Sequence, residues 1–290
     1  MKELVHMSGQ GCGSSGWFPS ASSKSTARIR LFCFPYAGGN SSVFNAWPKY
    51  LLDAVDVCAV NLPGRGVRLH DEPFTQLAPL VHELASAIAP HLDVPFAFFG
   101  HSLGGLLAFE LAHELRTEHR ATPLCLFVSG CRTPRWDVSK RTLHDLPEDE
   151  LLAEIKRLGG TPEEVLNNRE LMSLMLPTLR ADFSLSETYR CMRSMPLECP
   201  IVAFGGLQDP RAGREQLEPW REETTARFSL HLFPGDHFFL NTQTMPLLAM
   251  IARYLDPLAL RTASWESRYP VSDTYESIPS HFHNPDGYSP

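Results

Sequence analysis

Six short stretches of the chain are apolar at nearly every position: Ile29 to Phe34, Val55 to Val60, Phe96 to Phe99, Leu124 to Val128, Ile201 to Phe204 and Phe228 to Leu232. Gly, Pro, Asn or Ser ends each of them. Runs that are apolar throughout, rather than at alternate positions, predict strands covered on both faces, as in a parallel sheet. Two intervening segments carry helical spacing. Thr75 to His91 places Leu77, Leu80, Val81, Leu84 and Ile88 on one side, and Leu103 to Arg116 places Leu106, Leu107, Leu111 and Leu115 likewise. Alternating strand and helix predicts an α/β architecture: a mostly parallel sheet with helices on both faces.

The alternation stops between Ser129 and Ile201. Residues 133–195 are expected to form a helical insertion that acts as a lid. One helix starts at Pro147 with Glu148-Asp149-Glu150 and ends at Gly159-Gly160. Thr161-Pro162-Glu163-Glu164 has the pattern of a capping box with Pro at the first helical position. A third helical pattern, Leu171 to Tyr189, is expected to break at Pro177. Its side chains Met172, Met175 and Leu179 are expected to contact substrate, because methionine adapts to varied apolar ligands.

Outside 27–257 the periodicity is lost. Residues 1–26 are rich in Gly and Ser and are expected to be a flexible extension; 258–290 are expected to be a disordered tail. The spacing Gly11-Cys12-Gly13-Ser14-Ser15-Gly16 matches a dinucleotide-binding pattern, yet no strand precedes it and no helical pattern follows, so no such site is expected. His281 and His283 lie in the tail without further ligands at metal-binding spacing. The net charge of -7 argues against nucleic acid as partner. No run reaches about 18 apolar residues, so no membrane span is expected. The 7 cysteines include no C-x-x-C and mostly sit in apolar runs. Together with an N-terminus that lacks a signal-like apolar stretch, they point to a cytoplasmic protein.

Gly100-His101-Ser102-Leu103-Gly104 follows one predicted strand and opens a predicted helix. That is the context of a nucleophile elbow, in which a strained turn exposes the serine above the strand ends. The α/β-hydrolase fold is therefore expected, with Ser102 as nucleophile. The base must follow it in the chain. His144 falls in the insertion and His231 within a strand pattern, whereas His237 occupies the loop after the last strand. The acid that orients it is expected to be Asp209, after the Ile201 strand, since no carboxylate follows the Leu124 strand in Ser129-Gly130-Cys131-Arg132. Two backbone N–H groups must hold the oxyanion. They are expected from Leu103 and from the loop Phe34-Pro35-Tyr36-Ala37-Gly38-Gly39, at Ala37 with Tyr36 as the alternative.

Several motifs resemble the type II thioesterases that accompany polyketide synthases and nonribosomal peptide synthetases. They are Phe34-Pro35-Tyr36-Ala37-Gly38-Gly39, Leu62-Pro63-Gly64-Arg65-Gly66 with Arg68, Gly100 to Gly105, Leu179-Arg180-Ala181-Asp182-Phe183, Gly206-Leu207-Gln208-Asp209 and Gly235 to Leu240. The resemblance implies hydrolysis of acyl groups from the phosphopantetheine thiol of an acyl or peptidyl carrier protein, as an editing step, with no metal or redox cofactor. No catalytic role can be derived for Arg65 and Arg68, and loop structure accounts for them. A carrier protein is typically acidic, so Arg132, Arg135, Lys140 and Arg141 beside the insertion are candidate docking residues. A small-molecule esterase or lipase, and an acyltransferase or cyclase, would use the same three side chains. A catalytically silent carrier-binding protein would not need them.

Overall fold

The structure, a computed structural model, describes residues 16–18, 27–136 and 142–259. Six strands, β1 (Ile29–Phe34), β2 (Val55–Ala59), β3 (Phe96–His101), β4 (Leu126–Ser129), β5 (Ile201–Gly206) and β6 (Phe228–Phe233), form one sheet in the order β2-β1-β3-β4-β5-β6. Every pairing is parallel. Phe34 is in register with Gly100, His101 with Ser129, and Ser129 with Phe204. The loops that leave β1, β3, β4 and β5 therefore open along one edge of the sheet.

The uniform apolarity of the strands has its expected cause. All residues of β1 to β5 are buried, while β6, at the sheet edge, is half-buried over most of its length. On one face Phe32, Phe34, Phe98, Val128 and Ala203 join a core with Leu80 and Leu84 of α1 (Leu77–Ile88) and Leu107 and Leu111 of α2 (Leu103–Glu114). On the other face Phe99 packs against Phe44 and Trp47, at 6.0 and 4.7 Å between ring centroids. Strand pleating sends alternate side chains to these two cores.

The insertion holds α3 (Glu148–Leu158), α4 (Glu163–Leu166) and α5 (Arg169–Glu187). Leu151, Ile155, Met172, Leu176, Leu179 and Phe183 give it an apolar core of its own. Gly159 closes α3 in the left-handed conformation, φ 79°, which only glycine adopts without cost. Two expectations are corrected here. Thr161 does not cap α4: Pro162 occupies the N-cap position without a side-chain hydrogen bond. Helix α5 is not broken at Pro177 but runs through it. Pro177 and Ser173, whose carbonyl loses its helical donor, are both exposed, so water can replace the missing bond. Asn168 starts the helix by accepting the N–H of Leu171 at 3.1 Å.

Two short helices, α6 (Arg214–Leu217) and α7 (Phe239–Thr242), follow the last strands' loops, and α8 (Thr244–Ala259) closes the fold. Its Tyr254 meets Phe127 on the second face of the sheet. The expected flexible extension is corrected at residues 16–18. Phe18 is buried against Phe32, the Trp17 carbonyl accepts the N–H of Asn61, and Arg68 lies over the Trp17 ring at 3.9 Å. Two adjacent aromatics in a Gly/Ser-rich stretch have enough apolar area to dock. The rest of the expected extension, and the expected tail from 260 on, lie outside the described residues.

Helix α2 runs through the core, and its burial carries a pH consequence. His113 packs edge-on against Phe109 at 4.6 Å and lies 3.2 Å from an Arg116 nitrogen. Burial, then the charges of Arg193, Arg116 and Arg135, push it down to about 3. Burial and Arg253 lower His231 to about 4. Both rings stay neutral in the folded chain, whereas an unfolded histidine protonates near its ordinary pKa of about 6.5. The unfolded state thus gains protons first as pH falls, so this stabilisation is present above about 6.5 and is lost progressively below it. The urea midpoint is expected to drop between pH 7.5 and 5, and the decline should be shallower in His113→Gln. A midpoint that is level over that range would sink the expectation.

Candidate active site

Ser102 links β3 to α2 at φ 53° and ψ −116°, a conformation that an L side chain occupies only under constraint from its surroundings. Its own N–H donates to the Ser129 carbonyl at 2.8 Å, and its carbonyl accepts the N–H of Gly105 at 2.9 Å. The flanking glycines are steric requirements. A Cβ on Gly100 would overlap the Gly104 carbonyl, and one on Gly104 would overlap that of Phe34. Leu103 begins α2, so its N–H is among the first-turn donors that no helical carbonyl uses.

His237 follows β6, beyond a turn in which Gly235 has φ 118°. Its Nδ1 lies 2.8 Å from Asp209 Oδ2, and both residues are buried. The other oxygen, Asp209 Oδ1, accepts the backbone N–H groups of Arg211 at 2.8 Å and Ala212 at 3.2 Å. Burial pushes the Asp209 carboxyl up, but the His237 hydrogen bond and charge and these two N–H groups outweigh it and leave the group below its ordinary value. Asp209 is therefore ionised at neutral pH, and the His237 proton belongs on Nδ1. The neighbouring Asp236 turns away and accepts the N–H of Phe238 at 2.8 Å, as a turn residue does.

His101 is fully buried beside His237, with 5.1 Å between ring centroids. Its Nδ1 pairs with Ser129 Oγ at 2.9 Å. Burial and the nearby His237 hold it well below the ordinary histidine value, so it stays neutral. The sequence reading gave this residue no role. Its signal was its place beside Ser102, at the end of an otherwise apolar strand.

In the loop after β1, Gly38 donates its N–H to Asp182 Oδ2 at 2.7 Å and Gly39 donates to the Tyr36 carbonyl at 2.8 Å. Among the described residues the N–H of Ala37 has no acceptor. Ala37, Ser102, Leu103 and His237 all line one cavity of about 690 Å³. Ile155, Leu158, Val165, Met175, Leu179 and Phe183 give this cavity an apolar wall from the insertion. Met175 and Leu179, expected to contact substrate, are thus among the cavity's lining residues. Met172 is corrected: it is 3% exposed, packed in the insertion's own core, and not among the lining residues. On α5 it lies within about 20° of Leu179 and Phe183, which do line the cavity, but it is about two turns nearer the helix N-terminus than Leu179.

Of the candidate docking cations, Lys140 and Arg141 lie outside the described residues. Arg135 is ion-paired with Glu223 at 2.7 Å. Arg132 lines the cavity together with Arg211, which the sequence reading did not single out; Arg211 feels the charges of Asp209 and Glu187 as well as those of Arg132 and Arg157. No group of three or more His, Cys, Asp or Glu side chains suited to a metal occurs among the described residues. No described helix is long and apolar enough to cross a membrane.

The profile of the Thioesterase domain family matches residues 29–255, a span that contains every element of the cavity. This chain belongs to that family. The thioesterase is 43% identical over 239 residues to the gramicidin S biosynthesis protein GrsT of Aneurinibacillus migulanus, covering 82% of this chain and 93% of that one. Its fold is similar to that of the RedJ thioesterase from the prodiginine pathway of Streptomyces coelicolor, with a TM-score of 0.76 at 40% identity over 83% of this chain and 99% of the other. It is likewise similar to the type II thioesterase BorB from the borrelidin cluster, with a TM-score of 0.74 at 35% identity over 79% and 93% of the two chains. The chain is a thioester hydrolase of α/β-hydrolase fold.

Proposed function

We propose that the thioesterase removes acyl groups from the phosphopantetheine thiol of acyl or peptidyl carrier proteins. It would thereby clear misprimed or stalled intermediates from a polyketide or nonribosomal peptide synthase. The observation that carries the hydrolytic part is the apolar cavity shared by Ser102, His237 and the acceptor-free N–H of Ala37. The carrier protein as partner is supported by relatives whose names place them in gramicidin S biosynthesis and in the yersiniabactin NRPS/PKS pathway, and by Arg132 and Arg211 at the same cavity. These cations complement an acidic carrier or its phosphate.

The chemistry follows from the three side chains. Ser102 Oγ attacks the thioester carbonyl carbon, and its proton passes to His237 Nε2. The N–H groups of Ala37 and Leu103 hold the oxyanion. As the C–S bond breaks, His237 returns that proton to the pantetheine sulfur, leaving an acyl-serine and a free thiol. Water then attacks the acyl-serine while His237 takes its proton. Collapse of the second tetrahedral intermediate releases the acid and restores Ser102. Every proton is handled by His237, so the cycle requires no metal or redox cofactor. The enzyme would act in the cytoplasm.

Incubation with a panel of acyl-carrier proteins, followed by intact-mass measurement of the carrier, tests the proposal. The expected result is loss of the acyl mass with the phosphopantetheine retained, faster than turnover of the same acyl group on a p-nitrophenyl ester. Preference for the ester would favour the esterase reading. Transfer of the acyl group to an alcohol or amine would identify an acyltransferase.

A further inference from the structure

The motif around Arg65 and the one around Asp182 receive no role in the chemistry above, yet they meet in the interior. Arg65 follows β2, Asp182 lies on α5, and the pair is bidentate: Nη1 to Oδ2 and Nη2 to Oδ1, each 2.7 Å. Arg65 is 7% exposed and Asp182 1%. An acid and an arginine so deeply buried are costly to desolvate, and an apolar pair of similar volume would often serve stability equally well.

Apart from the bonds of Arg65 Nε and Nη2 to the Pro63 carbonyl, at 3.2 Å each in its own loop, their remaining bonds reach the loop after β1. Asp182 Oδ2 also accepts the N–H of Gly38, and Arg65 Nη1 also donates to the Gly39 carbonyl at 3.2 Å. Thr178, one turn before Asp182, donates to the Gly64 carbonyl at 2.9 Å. Leu179 packs on Gly38, whose φ is +75° and where a Cβ would come within 2.5 Å of Leu179 Cδ2. Two consecutive peptide planes are thus pinned. The Tyr36–Ala37 unit is held by its carbonyl, which accepts from Gly39, and the Ala37–Gly38 unit by its N–H, bound to Asp182. In a trans peptide the N–H points opposite to the carbonyl, so fixing the Tyr36 carbonyl fixes the direction of the Ala37 N–H.

We infer that Asp182 and Arg65 are positioning residues that lock the Tyr36–Gly39 turn so that the Ala37 N–H is preset for the oxyanion, and that α5 therefore assembles half of the oxyanion site as it docks. The inference rests on the proposed role of Ala37. It gives the buried charge pair a purpose beyond stability, because a preset donor contributes only if its direction is fixed before the negative charge develops.

The test compares Asp182→Asn with the double variant R65M/D182L, which removes both charges and leaves no uncompensated one. The single variant is expected to lower Tm and activity together. The double variant is expected to keep a Tm near wild type while kcat falls about 100-fold, the scale of a lost oxyanion donor, with KM within about twofold. Affinity for a trifluoromethyl ketone, which forms a tetrahedral adduct on serine, should fall by the same factor as kcat. Affinity for a thioether analogue lacking the carbonyl should not change. A double variant with wild-type kcat, or one that loses affinity for both inhibitors equally, overturns the inference and leaves the catalytic proposal standing. A wild-type enzyme indifferent to the ketone overturns the catalytic proposal and this inference with it.

Discussion

Replacing Ser102 with alanine is expected to abolish hydrolysis, lowering kcat by a factor on the order of 10⁶. Ser102 Oγ is the group proposed to form a bond with the substrate, and the elbow that presents it is built around that one position. Alanine at φ 53° suffers the same backbone strain as serine, so the variant should fold with an unchanged Tm, and lost activity cannot be assigned to lost structure. The acyl-carrier substrate should still bind, since the chamber walls are untouched. The measurement is single-turnover loss of acyl mass from a carrier protein. If a clean preparation retains a tenth of wild-type activity, Ser102 is not the nucleophile.

The second large effect is expected at Asp209. Asp209→Asn should fold normally and lose roughly 10⁴ in rate. The hydrogen bonds around this side chain dictate why. The N–H groups of Arg211 and Ala212 both donate to Oδ1, so an asparagine must place its carbonyl oxygen there and its NH2 group at the position of Oδ2. That NH2 would then donate to His237 Nδ1, which must become an acceptor, and the ring proton moves to Nε2. The nitrogen that should take the Ser102 proton is then already protonated. Nitrogen-15 shifts of the His237 ring report the tautomer directly. An active Asp209→Asn enzyme with the proton still on Nδ1 would show that another acid orients the base.

The parts of this site that the sequence revealed are those fixed by local rules. A serine between a buried strand and a helix, hemmed by glycines, has one geometric reading, and Gly100 and Gly104 prove to be in steric contact with backbone. Asp209 and His237 were legible because each sits in the loop after a recognisable strand, and parallel pairing brings those loops to one edge. Contacts between distant segments had no such signature. Arg65 and Asp182 are separated by most of the fold's central elements, and the one local hint was an acid at a position on α5 flanked by the buried Ala181 and Phe183. Pro177 misled because its consequence depends on whether the freed carbonyl meets water, which the pattern does not encode. Met172 misled because it shares a helix face with Leu179 and Phe183 but lies about two turns before Leu179, and the pattern does not say how far along α5 the chamber reaches.

The order of the strands has a consequence for the enzyme's own synthesis. The chain leaves the ribosome from its N-terminus at about 5–20 residues per second. The nucleophile elbow, after β3, emerges first. The α5 helix that fixes the Gly38 turn comes later, the acid later again, and the base only after β6. A nascent chain therefore displays Ser102 well before His237, its proposed base, has been made. Any product of translation stalled upstream of β6 would hold Ser102 without the proposed base.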